Sequence, residues 1–356
     1  MTENDPTWPE QTGPETSRRP VDGQARGCAP PSAGSGSDAA RGAAGSGPTH
    51  GAAFVTSEAE LLAAALPFLY DGLRSGDLVT LACSPETVEL LRRQLGDVGT
   101  ALVSEPRMTL LGSRAPDALM TCSRYLERAV AEGSGRLRVL AEVDFGSEPA
   151  DWREGQRFES VFNRLMVGAP VSAICVYDER RLPAPVIASA AATHPAMVRG
   201  AAWSASPGFQ DPATYLPSLP VPREPVEDRP PVYAVDDAPT LADLRHELGA
   251  VIASLVPDRD LQGDLHLGAS EIAANAFRHG VRPVSARVWA EVDRLICLIR
   301  DRGTSYRDPF AGFTPAHGPD LAAGGMGLWL ARKLWDHVDV LPTDTGLTVR
   351  LSTRIR

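Results

Sequence analysis

The chain has 356 residues, 22% of them charged and 43% hydrophobic, and carries a formal net charge of −10 from 35 basic and 45 acidic side chains. That length exceeds one hydrophobic core and predicts two domains joined by flexible segments. The acidic balance argues against nucleic acid as a partner, since phosphate-backbone binding rests on clustered Lys and Arg, and no apolar run is long enough to cross a bilayer.

Residues 1–48 are dominated by Gly, Ala, Ser, Pro and Thr and read as a disordered tail, with too few large apolar side chains to offset the entropy of ordering. The opening MTENDPTWPEQTGPE lacks the basic and apolar regions of a signal peptide, so a cytoplasmic location is expected. Cys28, Cys83, Cys122, Cys175 and Cys297 are widely spaced with no Cys-x-x-Cys pair, which predicts reduced, mostly buried thiols.

Residues 49–205 alternate helical and strand signals. Leu61, Leu62, Ala65, Leu66 and Leu69 recur at helical spacing within Ala59 to Tyr70. Short apolar runs at 77–83, 137–143 and 171–177 read as strands, and 152–163 reads as a helix with Glu159 and Asn163 one turn apart. Strands separated by helices predict a parallel α/β sheet. Ligands of such sheets bind beyond the carboxyl ends of the strands, where Cys83, Asp144, Tyr177 and Asp178 are expected.

Residues 206–237 hold Leu-Pro-Ser-Leu-Pro-Val-Pro and Arg-Pro-Pro-Val and read as a semi-extended, proline-rich linker. In 238–356, Leu241, Leu244, Leu248, Val251, Ile252 and Leu255 mark an amphipathic helix, and Leu265 to His279 a second one, stopped by Gly280. A hairpin is expected over 284–292 and 294–300, a helix over 328–335, and a second hairpin over 336–341 and 346–353. Helices on one face of a mixed sheet, an α+β domain, are the predicted architecture.

The chemistry concentrates in this region. Glu271 and Asn275 lie four residues apart on one helix face and can reach the same metal-bound phosphate. Then follow a strand, Asp301-Arg-Gly303, and the loop Gly324-Gly325-Met-Gly327-Leu328 opening a helix. A nucleotide site without a P-loop is the reading. Lys333, the only lysine, follows no glycine loop, so a Walker A motif is excluded.

Two resemblances follow from these motifs. Trp152, Phe158-Glu159, Asn163, Cys175-Val-Tyr177-Asp178 and Thr193-His194-Pro195 resemble the MEDS family of bacterial sensory domains, which implies a RecA-like α/β core and an unidentified small-molecule ligand. Trp152, Glu159, Asn163, Cys175, Tyr177, Asp178 and His194 are its candidate site residues. The second region resembles the GHKL ATPases, and among them the anti-sigma-factor serine/threonine kinases. Glu271 to Gly280 is similar to the N box, Asp301-Arg-Gly303 to the first glycine box, and Gly324 to Leu328 to the second.

That second resemblance implies ATP and Mg²⁺. Asn275 would ligate the metal, Glu271 would be the general base, and Asp301 would accept from the adenine amino group beside Gly303. Gly324, Gly325, Gly327 and Leu328 would wrap the phosphates, Thr348 would complete the adenine contacts, and Arg278, His279 and Gly280 would flank the site. The implied function is phosphorylation of a Ser or Thr on an anti-anti-sigma (STAS-type) partner and sequestration of a sigma factor, modulated by the sensory region. A non-catalytic ATP-binding switch is the alternative, and a sensor histidine kinase a third reading that the missing dimerisation helices disfavour. Ser305 stands where the first glycine box commonly has its second glycine, which predicts local strain or a changed lid, and Ser305 to Ala323 reads as a mobile lid. No nucleic acid or membrane partner is expected, and homodimer formation is left open.

Overall fold

A computed structural model describes residues 50–315 and 326–355. The expected disordered tail, Cys28, Gly324 and Gly325 lie outside the described residues.

The first sheet is built from β1 (His50–Val55), β2 (Leu78–Ala82), β3 (Val103–Ser104), β4 (Leu137–Glu142), β5 (Val171–Asp178), β6 (Ala196–Arg199) and β7 (Ala202–Ala205), ordered β3-β2-β4-β5-β1-β6-β7. All pairings are parallel except β6 with β7. Helices α1 (Glu58–Arg74), α2 (Pro85–Leu95), α3 (Ala115–Ala131), α4 (Pro149–Leu165) and α5 (Ala184–Thr193) make the crossovers. Alternation along β5 sends Ala173, Cys175 and Tyr177 toward α3, α4 and α5, and Ile174 and Val176 toward α1 and α2. Both faces are therefore covered, which is why these strands read as continuous apolar runs.

The turn after β1 holds no glycine loop. Ser57 caps α1, and Glu60 accepts from the Thr56 N–H and hydroxyl at 2.7 and 2.8 Å. The Ser57 hydroxyl accepts from the Glu60 N–H at the helix start, and the Glu60 carboxylate lies in the first turn, where the helix dipole favours negative charge.

The stretch 206–237, expected as a semi-extended linker, instead carries α6 (Pro212–Ser218), a 3₁₀ turn at Pro225–Asp228 and β8 (Tyr233–Val235). Apart from Pro217 inside α6, its prolines sit at helix starts and between elements, where a missing N–H costs little. Val226 packs on Trp289, Ile296 and Leu298, and the Arg229 carbonyl accepts from the Trp289 indole at 2.8 Å.

The second sheet runs β11-β12-β10-β9-β8, with β9 (Ser285–Ala290), β10 (Arg294–Asp301), β11 (His337–Thr343) and β12 (Gly346–Arg354). Every pairing is antiparallel, which corrects the expected mixed sheet. The α9 crossover returns β11 in the direction of β10, but β12 inserts between them and removes the parallel pair.

Helices α7 (Leu241–Leu255), α8 (Arg259–His279) and α9 (Met326–Leu334) cover one face of this sheet. Asp258 caps α8 by accepting from the Asp260 and Leu261 N–H groups. Leu265, Ala269, Ile272 and Ala276 bury its inner stripe, while Glu271 and Asn275 stay half-exposed. Trp335 is fully buried behind α9, and its indole donates to the Leu265 carbonyl at 3.1 Å.

Gly47–Arg356 forms one compact unit, and the junction between its two sheets is ionic. Asp339 on β11 is buried and accepts from Arg153 and Arg157 of α4 and from Arg350 of β12. Burial works to raise the Asp339 carboxyl, but the three guanidiniums outweigh it and hold the group far below the usual carboxylate range. His337 meets Asp151 at 2.8 Å, Arg114 meets Asp336 at 2.7 Å, and Lys333 at the end of α9 meets Asp117 of α3 at 2.7 Å.

Asp151 sets a pH dependence. Burial raises its carboxyl, but the His337 hydrogen bond, the Glu148 N–H and the His337 and Arg354 charges prevail, lowering it from 3.8 to about 2. A depressed carboxylate stabilises the folded form above its unfolded value and loses that contribution as pH falls through the folded one. Melting temperature is therefore expected to drop between pH 3.8 and about 2. The Asp151→Asn variant should lose part of that dependence in the same thermal scans.

Candidate functional site

A cleft of about 340 Å³ opens between α8, α9 and the end of the second sheet, within the range of small-molecule sites. Ile272, Asn275, Ala276 and His279 of α8 form one wall, and Ile299, Val340, Leu347 and Val349 of the sheet form its apolar floor. Asp301, Gly280 and Gly303 close one end, Leu328 of α9 borders it, and Ser305, Tyr306, Arg307 and Asp308 line the rim.

Asp301 is buried at the end of β10. Its Oδ1 accepts from the Gly303 N–H at 2.5 Å and the Val281 N–H at 3.2 Å, which fixes the carboxylate plane. Its Oδ2 has no hydrogen bond among the described residues and is the acceptor left for a ligand. A Cβ on Gly280 would lie 2.4 Å from Asp301 Cγ, so only glycine lets the helix end pass this close.

Asn275 faces the start of α9. A Cβ on Gly327 would lie 2.8 Å from Asn275 Nδ2, so this glycine is the cradle that keeps the amide free. Gly327→Ala would favour the helix by about 1 kcal/mol, yet it is expected to weaken binding of the Mg-ATP that the sequence resemblance implies, on the order of 10- to 100-fold, the worth of one charge-assisted contact. Calorimetric titration checks this, and unchanged affinity would show that the amide does not serve the ligand.

Glu271 sits one turn before Asn275, outside the cleft-lining set, with Arg245 of α7 3.6 Å from its Oε1. Arg278 is exposed, and His279 is exposed while bordering the cleft. Thr348 is not brought in: Leu347 and Val349 face the cleft, so strand alternation turns Thr348 to the other side of the sheet. Tyr306, Arg307 and Asp308 of the cleft rim went unremarked in the sequence because the proline- and glycine-rich stretch has no periodicity to place them.

Part of the segment expected as a mobile lid is anchored. Phe313 is buried in the core of the first region beside Phe310, with the Arg332 guanidinium 4.1 Å above its ring and Arg164 of α4 5.9 Å from the Phe310 ring. Residues 316–325 of that segment lie outside the described residues.

In the first region the candidate residues separate into two groups. Glu159, Asn163, Cys175 and His194 converge in the layer between β1, β5 and α4, together with His50, which sequence reading missed. This is not the carboxyl end of the sheet, because Cys175 lies mid-strand opposite Ala52. Tyr177 is buried beside them, its ring edge-on to His194 at 5.5 Å and its hydroxyl without a hydrogen-bond partner among the described residues. Burial and the neighbouring Glu159 push the Cys175 thiol well up, and burial followed by the nearby His50 keeps His194 neutral.

The others hold turns. Asp178 clamps Arg180 at 2.6 and 2.8 Å, Asp144 accepts from the Gly146 N–H, and Trp152 donates to the Gly146 carbonyl. Cys83 donates to the Leu140 carbonyl inside the core.

Residues 49–195 match the MEDS family (MEthanogen/methylotroph, DcmR Sensory domain), and residues 234–353 match the histidine kinase-like ATPase domain. The chain joins a MEDS domain to a histidine kinase-like ATPase domain. The ATPase domain contains the Asn275 and Asp301 cleft, and the MEDS domain contains the buried His50 cluster. The chain is also similar to the serine-protein kinase RsbW of Bacillus pumilus (strain SAFR-032), 32% identical over 102 residues, which are 25% of this chain and 62% of that protein. It thus spans less than two thirds of that relative. A crystal structure of the RsbU and RsbW domains of a Mycobacterium tuberculosis protein aligns at 19% identity and a TM-score of 0.26, over 36% of this chain and 33% of that one. No described helix is long and apolar enough to cross a membrane.

Proposed function

We propose that the ATPase domain binds Mg-ATP and transfers its γ-phosphoryl group to a serine or threonine of an anti-anti-sigma partner, and that this releases the chain to hold a sigma factor. The observation that carries this reading is the cleft itself, where glycines pack against the Asp301 carboxylate and the Asn275 amide and Asp301 Oδ2 accepts no hydrogen bond among the described residues. Asp301 accepts from an exocyclic amine and so selects adenine over guanine, which offers an oxygen there. Asn275 supplies a neutral oxygen ligand of the kind Mg²⁺ shares with phosphates. An Mg²⁺ held there by Asn275 would supply charge neutralisation for the phosphoryl group. Glu271, oriented by Arg245, takes the proton of the attacking hydroxyl. Similarity to a serine-protein kinase supports serine over histidine as acceptor.

We infer that the MEDS domain, which we read as a RecA-like core without a Walker A loop, modulates this exchange. Helix α4 carries Glu159 and Asn163 into the buried cluster and Arg153 and Arg157 onto Asp339 of the ATPase domain. A ligand that shifts α4 therefore acts directly on β11, one wall of the cleft.

A non-catalytic ATP switch is the second reading, favoured by Ser305 on the cleft rim in place of a glycine. Incubating the full chain with labelled Mg-ATP and a cognate STAS-type partner separates the two. Acid-stable phosphoserine or phosphothreonine on the partner is expected, and nucleotide binding without any transfer would establish the switch instead.

A further inference from the structure

The buried cluster in the MEDS domain has a donor arrangement of its own. His50 Nε2 lies 3.3 Å from both Cys175 Sγ and Glu159 Oε2, His194 Nε2 lies 3.6 Å from the same carboxylate oxygen, and Cys175 Sγ is 3.8 Å from it. The four ligand atoms all fall within 4.8 Å of one another, and each residue is at most 5% exposed.

The surrounding hydrogen bonds fix where the protons are. Asn163 spends its amide hydrogens on the Glu159 and Thr193 carbonyls, so its Oδ1, 2.9 Å from His50 Nδ1, must accept. His50 therefore carries a proton on Nδ1, and the neutral ring points a lone pair from Nε2 into the cluster. His194 Nδ1 faces the Ala190 carbonyl at 3.1 Å, which can only accept, so the neutral ring's Nε2 also presents a lone pair and has no hydrogen-bond partner among the described residues. Two imidazole lone pairs and a carboxylate oxygen thus converge, with one thiol proton to serve all three. Buried acceptors facing each other are costly unless a cation lies between them.

The distances suit such a cation. Metal–nitrogen and metal–sulfur bonds of about 2.0 and 2.3 Å in a tetrahedron set ligand-to-ligand edges of roughly 3.3–3.8 Å. Four of the six edges span 3.3 to 3.8 Å, and the other two stay within 4.8 Å, a gap that small side-chain rotations close around an ion. A thiolate and a carboxylate also balance a divalent ion, leaving the buried site neutral. Sulfur and imidazole donors select against Mg²⁺ and Ca²⁺.

We propose that His50, Glu159, Cys175 and His194 form a closed tetrahedral site for a zinc-type divalent metal, with Asn163 and the Ala190 carbonyl orienting the two imidazoles. Four protein ligands leave no open position, so the site is structural or sensory rather than catalytic. Full burial means the metal enters as the domain folds or opens. The proposal is independent of the nucleotide reading.

The test is a titration of the chelator-treated full chain with Co²⁺, followed by displacement with Zn²⁺. One equivalent of Co²⁺ per chain is expected, with tetrahedral d–d bands and a thiolate charge-transfer band that vanish when Zn²⁺ is added. Cys175→Ser removes the charge-transfer band, whereas Cys297→Ser, in the other domain, keeps it. Asn163→Ala keeps the band and weakens metal affinity roughly 10- to 100-fold, as loss of an outer orienting contact does. Should Cys175→Ser fail to fold, the wild-type sulfur band and the Asn163 variant still decide. No Co²⁺ binding by the wild-type chain, or a charge-transfer band surviving in folded Cys175→Ser, would overturn the proposal.

Discussion

Replacing Glu271 with Gln is expected to slow phosphoryl transfer about 10²- to 10⁴-fold, the usual contribution of a positioned general base, while Mg-ATP affinity stays unchanged. The expectation rests on the helix geometry. Glu271 and Asn275 share a face of α8, but only Asn275 lines the cleft, so the carboxylate can touch the incoming hydroxyl without holding the nucleotide. Arg245 keeps Glu271 oriented in both states, and glutamine preserves its size while removing its basicity. Single-turnover transfer with labelled ATP measures the rate, and calorimetry the affinity. A variant that transfers at the wild-type rate would remove Glu271 from the chemistry.

Asp339→Ala is expected to cost about 3–5 kcal/mol of stability, because removing one member of a buried charge network leaves its partners uncompensated. Arg153 and Arg157 approach this carboxylate from α4 and Arg350 from the neighbouring strand, with Glu227 the other carboxylate touching Arg350. Three guanidiniums would then share less negative charge inside the junction of the two domains. The loss should appear in urea unfolding as a lowered midpoint, with a separate early transition if the domains part first. Arg153→Met combined with Asp339→Leu should recover part of it, since apolar packing tolerates the site better than unpaired charge does. A loss no larger than that of a surface carboxylate would show that the junction is not held this way.

How much of this could be read from the chain follows from how local each signal is. Glu271 with Asn275, and Asp301 with Gly303, are spaced within a helix turn or a strand end, so their order survives in the sequence as a motif. The apolar runs of β2, β4 and β5 read correctly because a sheet buried on both faces needs them. His50 was invisible: it stands alone ahead of a short strand, and its partners Glu159, Cys175 and His194 come from three other elements. The Asp339 network is equally non-local, since nothing near that residue marks α4 as its partner. The all-antiparallel order of the second sheet was missed because strand periodicity carries no direction. The proline-rich 206–237 stretch misled through composition, as its few apolar residues, Val226 above all, find an open sheet face that only the fold supplies. Thr348 was misplaced by one step of the strand period, which reverses the face a side chain takes.

Equilibrium binding of Mg-ATP and Mg-GTP to the full chain and to its Asp301→Asn variant tests the nucleotide site most directly. The account predicts that the wild-type chain binds Mg-ATP and discriminates against Mg-GTP, because Asp301 Oδ2 accepts from the adenine amine and repels the guanine oxygen. It also predicts that Asp301→Asn loses that preference together with most of its ATP affinity. Equal affinity for the two nucleotides, or an Asp301→Asn variant that binds Mg-ATP as the wild type does, would contradict it.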